Sequence, residues 1–159
     1  MLPRVTRGIR AMAALSLVLA GLSLTGCSGD DSGGAPGLAL TDLACTYTGS
    51  DTPSAGSFTV EAVNDSSKDG VFGLYGIAAG TQFADVQAFV DTEQQRLEQG
   101  EAPRPLPSYL TLVTRVLVAS QDKGTMSADL SPGQFALVCY QDDPPTAIYL
   151  VKPQLEVSG

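Results

Sequence analysis

The sequence predicts an all-β sandwich that carries one inserted helix at about residues 81–99. Three observations point there. Short apolar or alternating segments recur along the chain, turn residues separate them at regular intervals, and a single stretch has helical periodicity. No internal repeat is visible, and residues 41–159 suffice for one core.

The elements follow in order. The start, "MLPRVTRGIRAMAALSLVLAGLSLTGC", has a basic region ending at Arg10 and an apolar stretch from about Ala11 to Leu24. Small residues then meet Cys27. That layout is a secretory signal over residues 1–26, with an apolar stretch shorter than the roughly 20 residues a spanning helix needs. Leu24-Thr25-Gly26-Cys27 resembles the lipobox of bacterial lipoproteins. The resemblance implies that the Cys27 thiol is alkylated by a diacylglycerol and becomes the new N-terminus. Palmitate-type acyl chains would then anchor the protein to the membrane, on its extracytoplasmic side. Residues 27–40 are mostly Gly, Ser, Asp and Pro, a composition too polar to offset its ordering entropy, and are expected to be a flexible tether.

From Thr41 the chain becomes β-like. "LACTYTG" (43–49) is a first strand, closed by Asp51-Thr52-Pro53. "GSFTVEAVND" (56–65) alternates, with Phe58, Val60 and Ala62 on one face. "NDSSKDG" (64–70) is a polar loop; Asn64, Asp65 and Asp69 hint at calcium, but the bidentate Glu of such a loop is missing. "VFGLYGI" (71–77) is a third strand interrupted by two glycines. In the helix that follows, Thr81 is the expected N-cap and Gly100 the terminator. Phe83, Val86, Val90 and Leu97 share one face, with Phe89 beside them, as a core-facing stripe. "EAPRPLPSY" (101–109) has three prolines and must be extended. "LTLVTRVLVA" (110–119) is a strand, and 125–133 with 134–140 is expected to form a hairpin about Ser131-Pro132-Gly133. "AIYLV" (147–151) and "QLEV" (154–157) complete the sheet, with Pro153 at a bend or edge.

Composition excludes several functions. The chain has no histidine, so neither Ser-His nor Cys-His catalysis is available, nor are His-based zinc and copper sites. Nine basic residues face 17 acidic ones, and three of the nine lie in the leader. The remainder, six against 17, carries a formal charge of −11 and repels phosphate backbones, so no nucleic acid is expected as partner. Asp142 and Asp143 are adjacent carboxylates before Pro144-Pro145, and neighbours on extended chain point apart. No catalytic residue and no cofactor is assigned. With Cys27 acylated in an oxidising compartment, Cys45 and Cys139 remain, the number one bridge requires.

"GLYGIAAGTQFADVQAFV" (73–90), then "LSPGQFALVCYQDD" (130–143) and a closing strand, resemble the cupredoxin-like domains of secreted bacterial proteins. The resemblance spans residues 41–157 and implies a Greek-key β-sandwich. It also implies a copper site of two histidines, a cysteine and a methionine. Of these only Cys139 is present; Gly70 and Thr146 align with the histidines and Val151 with the methionine. Gly and Val offer no side-chain donor, and Thr is a poor one for soft copper. Cys139 is then either a buried free thiol or the partner of Cys45, and the bridge is the expectation. The functional expectation is a non-enzymatic, membrane-anchored surface lipoprotein that binds an envelope protein or ligand. The alternative is a copper-binding or electron-transfer protein.

Overall fold

The computed structural model describes residues 35–151 and 154–159. The signal, Cys27 and most of the expected tether lie outside them, as does Pro153. Nine strands and one helix are present among the described residues: β1 (Gly37–Leu40), β2 (Cys45–Thr48), β3 (Gly56–Asn64), β4 (Gly70–Ile77), α1 (Phe83–Glu98), β5 (Leu110–Val118), β6 (Asp122–Leu130), β7 (Gly133–Gln141), β8 (Ala147–Leu150) and β9 (Leu155–Val157). They build the expected all-β sandwich with one inserted helix. One sheet has the order β2-β1-β3-β6; the other runs β5-β4-β7-β8, with β9 also paired to β7. β1 lies parallel to β3, and the remaining ladders are antiparallel.

Two expectations are corrected. The tether does not extend to residue 40, because Gly37–Leu40 pairs with both β2 and β3 and buries Leu38 and Leu40. Its short "GLAL" alternates, a signal hidden by the Gly- and Ser-rich text before it. Nor do β6 and β7 form a hairpin. Ser131-Pro132-Gly133 instead carries the chain from one sheet to the other, since β6 pairs with β3 and β7 with β4. Two β-periodic runs with a tight Pro-Gly turn look alike in both cases, because a sandwich corner needs the same turn chemistry.

The two faces of the second sheet explain its composition. Phe72, Leu74, Leu137 and Cys139 point into the sandwich, where they meet Leu38, Leu40, Val60 and Met126. Tyr75, Ile77, Ala136, Val138 and Ile148 form a second cluster, covered by Val86 and Val90 of α1. β4 is therefore buried on both faces, which is why "VFGLYGI" shows no polar alternation. The helix starts one residue later than expected, with Gln82 as N-cap, whose N–H donates to Asp85 Oδ2 (3.1 Å). Gly100, at φ 75°, ends it.

Candidate functional site

Cys139 sits in the middle of β7, fully buried between the sheets. Its sulfur is bonded to Cys45 at the start of β2, with Cα atoms 6.2 Å apart and 94 residues of separation. The bridge ties the outermost strand of one sheet to a central strand of the other. A disulfide sulfur cannot act as a thiolate ligand or nucleophile.

The other positions aligned with copper ligands are not gathered into one site. Gly70 pairs with Gln141, and Thr146 donates its N–H to the Gln141 carbonyl (2.8 Å), so both lie at one end of β7. Val151 donates to the Leu137 carbonyl (2.9 Å), four residues farther down the strand. At about 3.3 Å per residue that is roughly 13 Å away. Gly70 also has no room for a side chain: a Cβ there would stand 2.8 Å from Leu40 Cδ2 and 3.0 Å from the Asn64 amide. Thr146 accepts a hydrogen bond from Lys68 Nζ (2.8 Å) and donates to Asp142 Oδ2 (2.7 Å), while Lys68 and Asp142 form an ion pair at 3.0 Å. These contacts, Thr146 first, hold the Asp142 carboxyl below its usual range. Polar groups with one another as partners close this end of the sandwich.

The calcium reading of the 64–70 loop also dissolves. Asn64 is buried and uses both ends of its amide: Nδ2 donates to the carbonyls of Lys68, Val118 and Ala119, and Oδ1 accepts from the N–H and hydroxyl of Ser66. Asp69 accepts from the Ser120 N–H (3.1 Å). These residues pin the loop to the β5–β6 turn.

A cavity of about 170 Å³ lies on the opposite face of the second sheet, between α1, the proline-rich connection and the 142–145 loop. Sequence reasoning read Phe89 and Leu97 as core contact and Asp142 and Asp143 as loop, and missed the cavity they share. Gly73 leaves room for the Tyr75 ring, since a Cβ there would stand 2.7 Å from it. Tyr75 lies across that bare backbone, and its hydroxyl bonds that of Tyr140. Phe89, Leu97, Leu106 and Ile148 supply apolar walls. Glu93 is 3% exposed and holds the connection, accepting from the backbone N–H of Arg104 (2.9 Å) and from its guanidinium. Arg104 in turn lies 5.6 Å from the centre of the Phe89 ring. At the rim, Arg115 and Asp143 form an ion pair at 3.6 Å, and both side chains are more than half exposed. Asp142 and Asp143 do point to different partners, as their adjacency requires.

Burial pushes the phenols of Tyr75 and Tyr140 above their ordinary value, Tyr140 the more strongly. Arg115 is the charged group that opposes this at both hydroxyls.

No protein-family model matches the chain, and no curated protein matches it. Among solved structures, the chain is similar to a sodium-dithionite-reduced auracyanin from the photosynthetic bacterium Roseiflexus castenholzii. Identity is 18%, over 74% of this chain and 95% of that one, with a TM-score of 0.37. It is similar also to auracyanin B, at 16% identity over 74% of this chain and 87% of that one, TM-score 0.37. At these scores the likeness brings neither a site nor an activity to this chain.

Proposed function

We propose that this protein is a lipid-anchored, non-enzymatic binding module on the extracytoplasmic side of the membrane, built on a cupredoxin-like sandwich that holds no copper. The observation that carries the copper-free reading is the Cys45–Cys139 disulfide, which occupies the one ligand residue left at the positions that the resemblance aligns with copper ligands. The packed backbone at Gly70 and the mutually satisfied Lys68, Asp142 and Thr146 side chains support it. The anchor rests on the leader and Cys27. The want of histidine speaks against acyl-transfer and thiol-protease chemistry. The cavity beneath α1 supports binding as the task, since a small apolar pocket with a few converging polar groups is how small ligands are held.

Two assays test the reading. Metabolic labelling with a fatty acid marks the wild type and leaves Cys27→Ala unlabelled; equal labelling of both ends the lipoprotein assignment. Titration of the purified chain with Cu(II) yields no intense visible thiolate-to-copper band. A blue, stoichiometric complex would restore the electron-transfer alternative.

A further inference from the structure

The cavity under α1 has a polarity that its walls do not explain. Its volume of about 170 Å³ and its apolar walls suit a single ring or a short alkyl chain, since an apolar cavity of about 150 Å³ admits a benzene-sized molecule. Two polar features converge on it. The Tyr75 and Tyr140 hydroxyls bond each other, which uses one of their two protons and leaves the second O–H with no protein acceptor among the described residues. The Arg115 guanidinium makes no hydrogen bond among the described residues, and its ion pair with Asp143 is too long to be one. The other charges at the cavity are engaged: Glu93 with Arg104, and Asp142 with Lys68 and Thr146. The Phe89 face, which would otherwise attract a cationic ligand, already carries Arg104. What remains available at the cavity is hydrogen-bond donation beside a guanidinium whose one partner, Asp143, stands 3.6 Å away and makes no hydrogen bond to it among the described residues.

We infer that this cavity binds a small organic carboxylate with a ring-sized or short-chain apolar body. The body lies against Phe89, Leu106 and Ile148, and the carboxylate accepts from Arg115 and from the free hydroxyl of the tyrosine pair. Planar, forked recognition of this kind is what a guanidinium provides and an ammonium does not. Asp143 competes for the same guanidinium and sets the affinity. This assignment deepens the binding-module reading and rests on it.

The purified full chain is titrated by calorimetry with benzoate, phenylacetate and hexanoate, each beside its primary amide, and with benzylamine. Tyrosine emission locates the event, because the chain has no tryptophan and two of its five tyrosines line the cavity. At least one carboxylate binds and changes that emission, and its amide binds about tenfold more weakly or worse, the usual size of a lost charged hydrogen bond. Arg115→Gln, an exposed substitution that leaves the core intact, weakens the carboxylate by about tenfold or more. Tyr140→Phe weakens it several-fold, and Asp143→Asn tightens it. An amide or benzylamine that binds as tightly as the carboxylates, or a carboxylate indifferent to Arg115→Gln, overturns the ligand class while binding itself stands. Silence from all seven probes overturns the site, without touching the anchor and copper results that other assays read.

Discussion

Replacing both Cys45 and Cys139 with Ala removes a link that spans 94 residues. On the chain-entropy account, opening a loop of that length returns about 4–5 kcal/mol of freedom to the unfolded chain. A second cost comes from the folded side. Cys139 is fully buried, so Ala leaves a hollow the size of a sulfur atom, worth about 1 kcal/mol more. β2 is a four-residue edge strand that pairs only with β1 among the described residues, and its side chains alternate between half-buried and exposed. Without the bridge it can fray before the sandwich opens, which trims the loss. The net expectation is a destabilisation of about 3–5 kcal/mol, equivalent to roughly 10–20 °C in Tm for a domain of this size. Urea unfolding followed by circular dichroism gives both midpoint and slope. The slope should rise in the variant, because an unlinked denatured chain exposes more surface than one tied across most of its length. A loss under about 1 kcal/mol with an unchanged slope would refute the reasoning and return Cys139 to a free thiol packed as a small hydrophobe.

Other expectations follow from single residues. Asn64→Ala strands the Val118 and Ala119 carbonyls and the Ser66 N–H, and should cost about 2–4 kcal/mol in the same urea assay; a loss below 1 kcal/mol would show that water replaces the amide. Gly73→Ala forces the Tyr75 ring away from β4 and separates the two hydroxyls, an overpacking cost of about 1–3 kcal/mol. Unperturbed tyrosine emission and wild-type stability in that variant would show that the ring does not lie where described. For Tyr140 the folded phenol is raised above its unfolded value of 10.0. Its share of stability is thus fully present below about pH 10 and is lost as pH climbs toward the folded value, because the unfolded chain ionises first. Denaturation curves at pH 8, 9.5 and 11 should show a flatter alkaline decline in Tyr140→Phe than in the wild type; parallel declines would count against a buried Tyr140.

The fold was legible where local pattern and burial agree. β3 alternates, with Phe58, Val60 and Ala62 facing in, and its expected and observed bounds nearly coincide. The stripe on α1 held for the same reason: Val86 and Val90 pack on the sheet. Partnering is what local pattern does not encode. "GLAL" became β1 because β2 and β3 flank it, and β6 left its expected hairpin because β3 offers it nine registered positions. Cysteine arithmetic did reach the disulfide, since the expectation that Cys27 is acylated left Cys45 and Cys139 to pair. Where Val151 would lie was not legible, because residues in a short hairpin are placed by register, and register puts Val151 beside Leu137.

The cavity was hidden for a different reason. Its residues come from β4, α1, the proline-rich connection, β5, β7, the loop after it and β8, and each is ordinary within its own segment. Gly73 reads as a weakness in a strand, Glu93 as one more acid on a helix, and Arg115 as a solvated break in an apolar run. Together they do separate jobs: Gly73 makes space for a ring, Glu93 secures the connection over the helix, and Arg115, held only by a long ion pair with Asp143, sets a guanidinium at the rim beside two part-buried hydroxyls. Gly70 and Thr146, aligned with copper ligands and at the same end of β4 and β7, show the reverse. There Lys68, Asp142 and Thr146 satisfy one another and Leu40 fills the space at Gly70, so nothing is left over to bind with. A site is recognised by unsatisfied capacity held in a dry place, and in this sandwich that capacity lies on the face beneath the inserted helix and not among the residues that align with copper ligands.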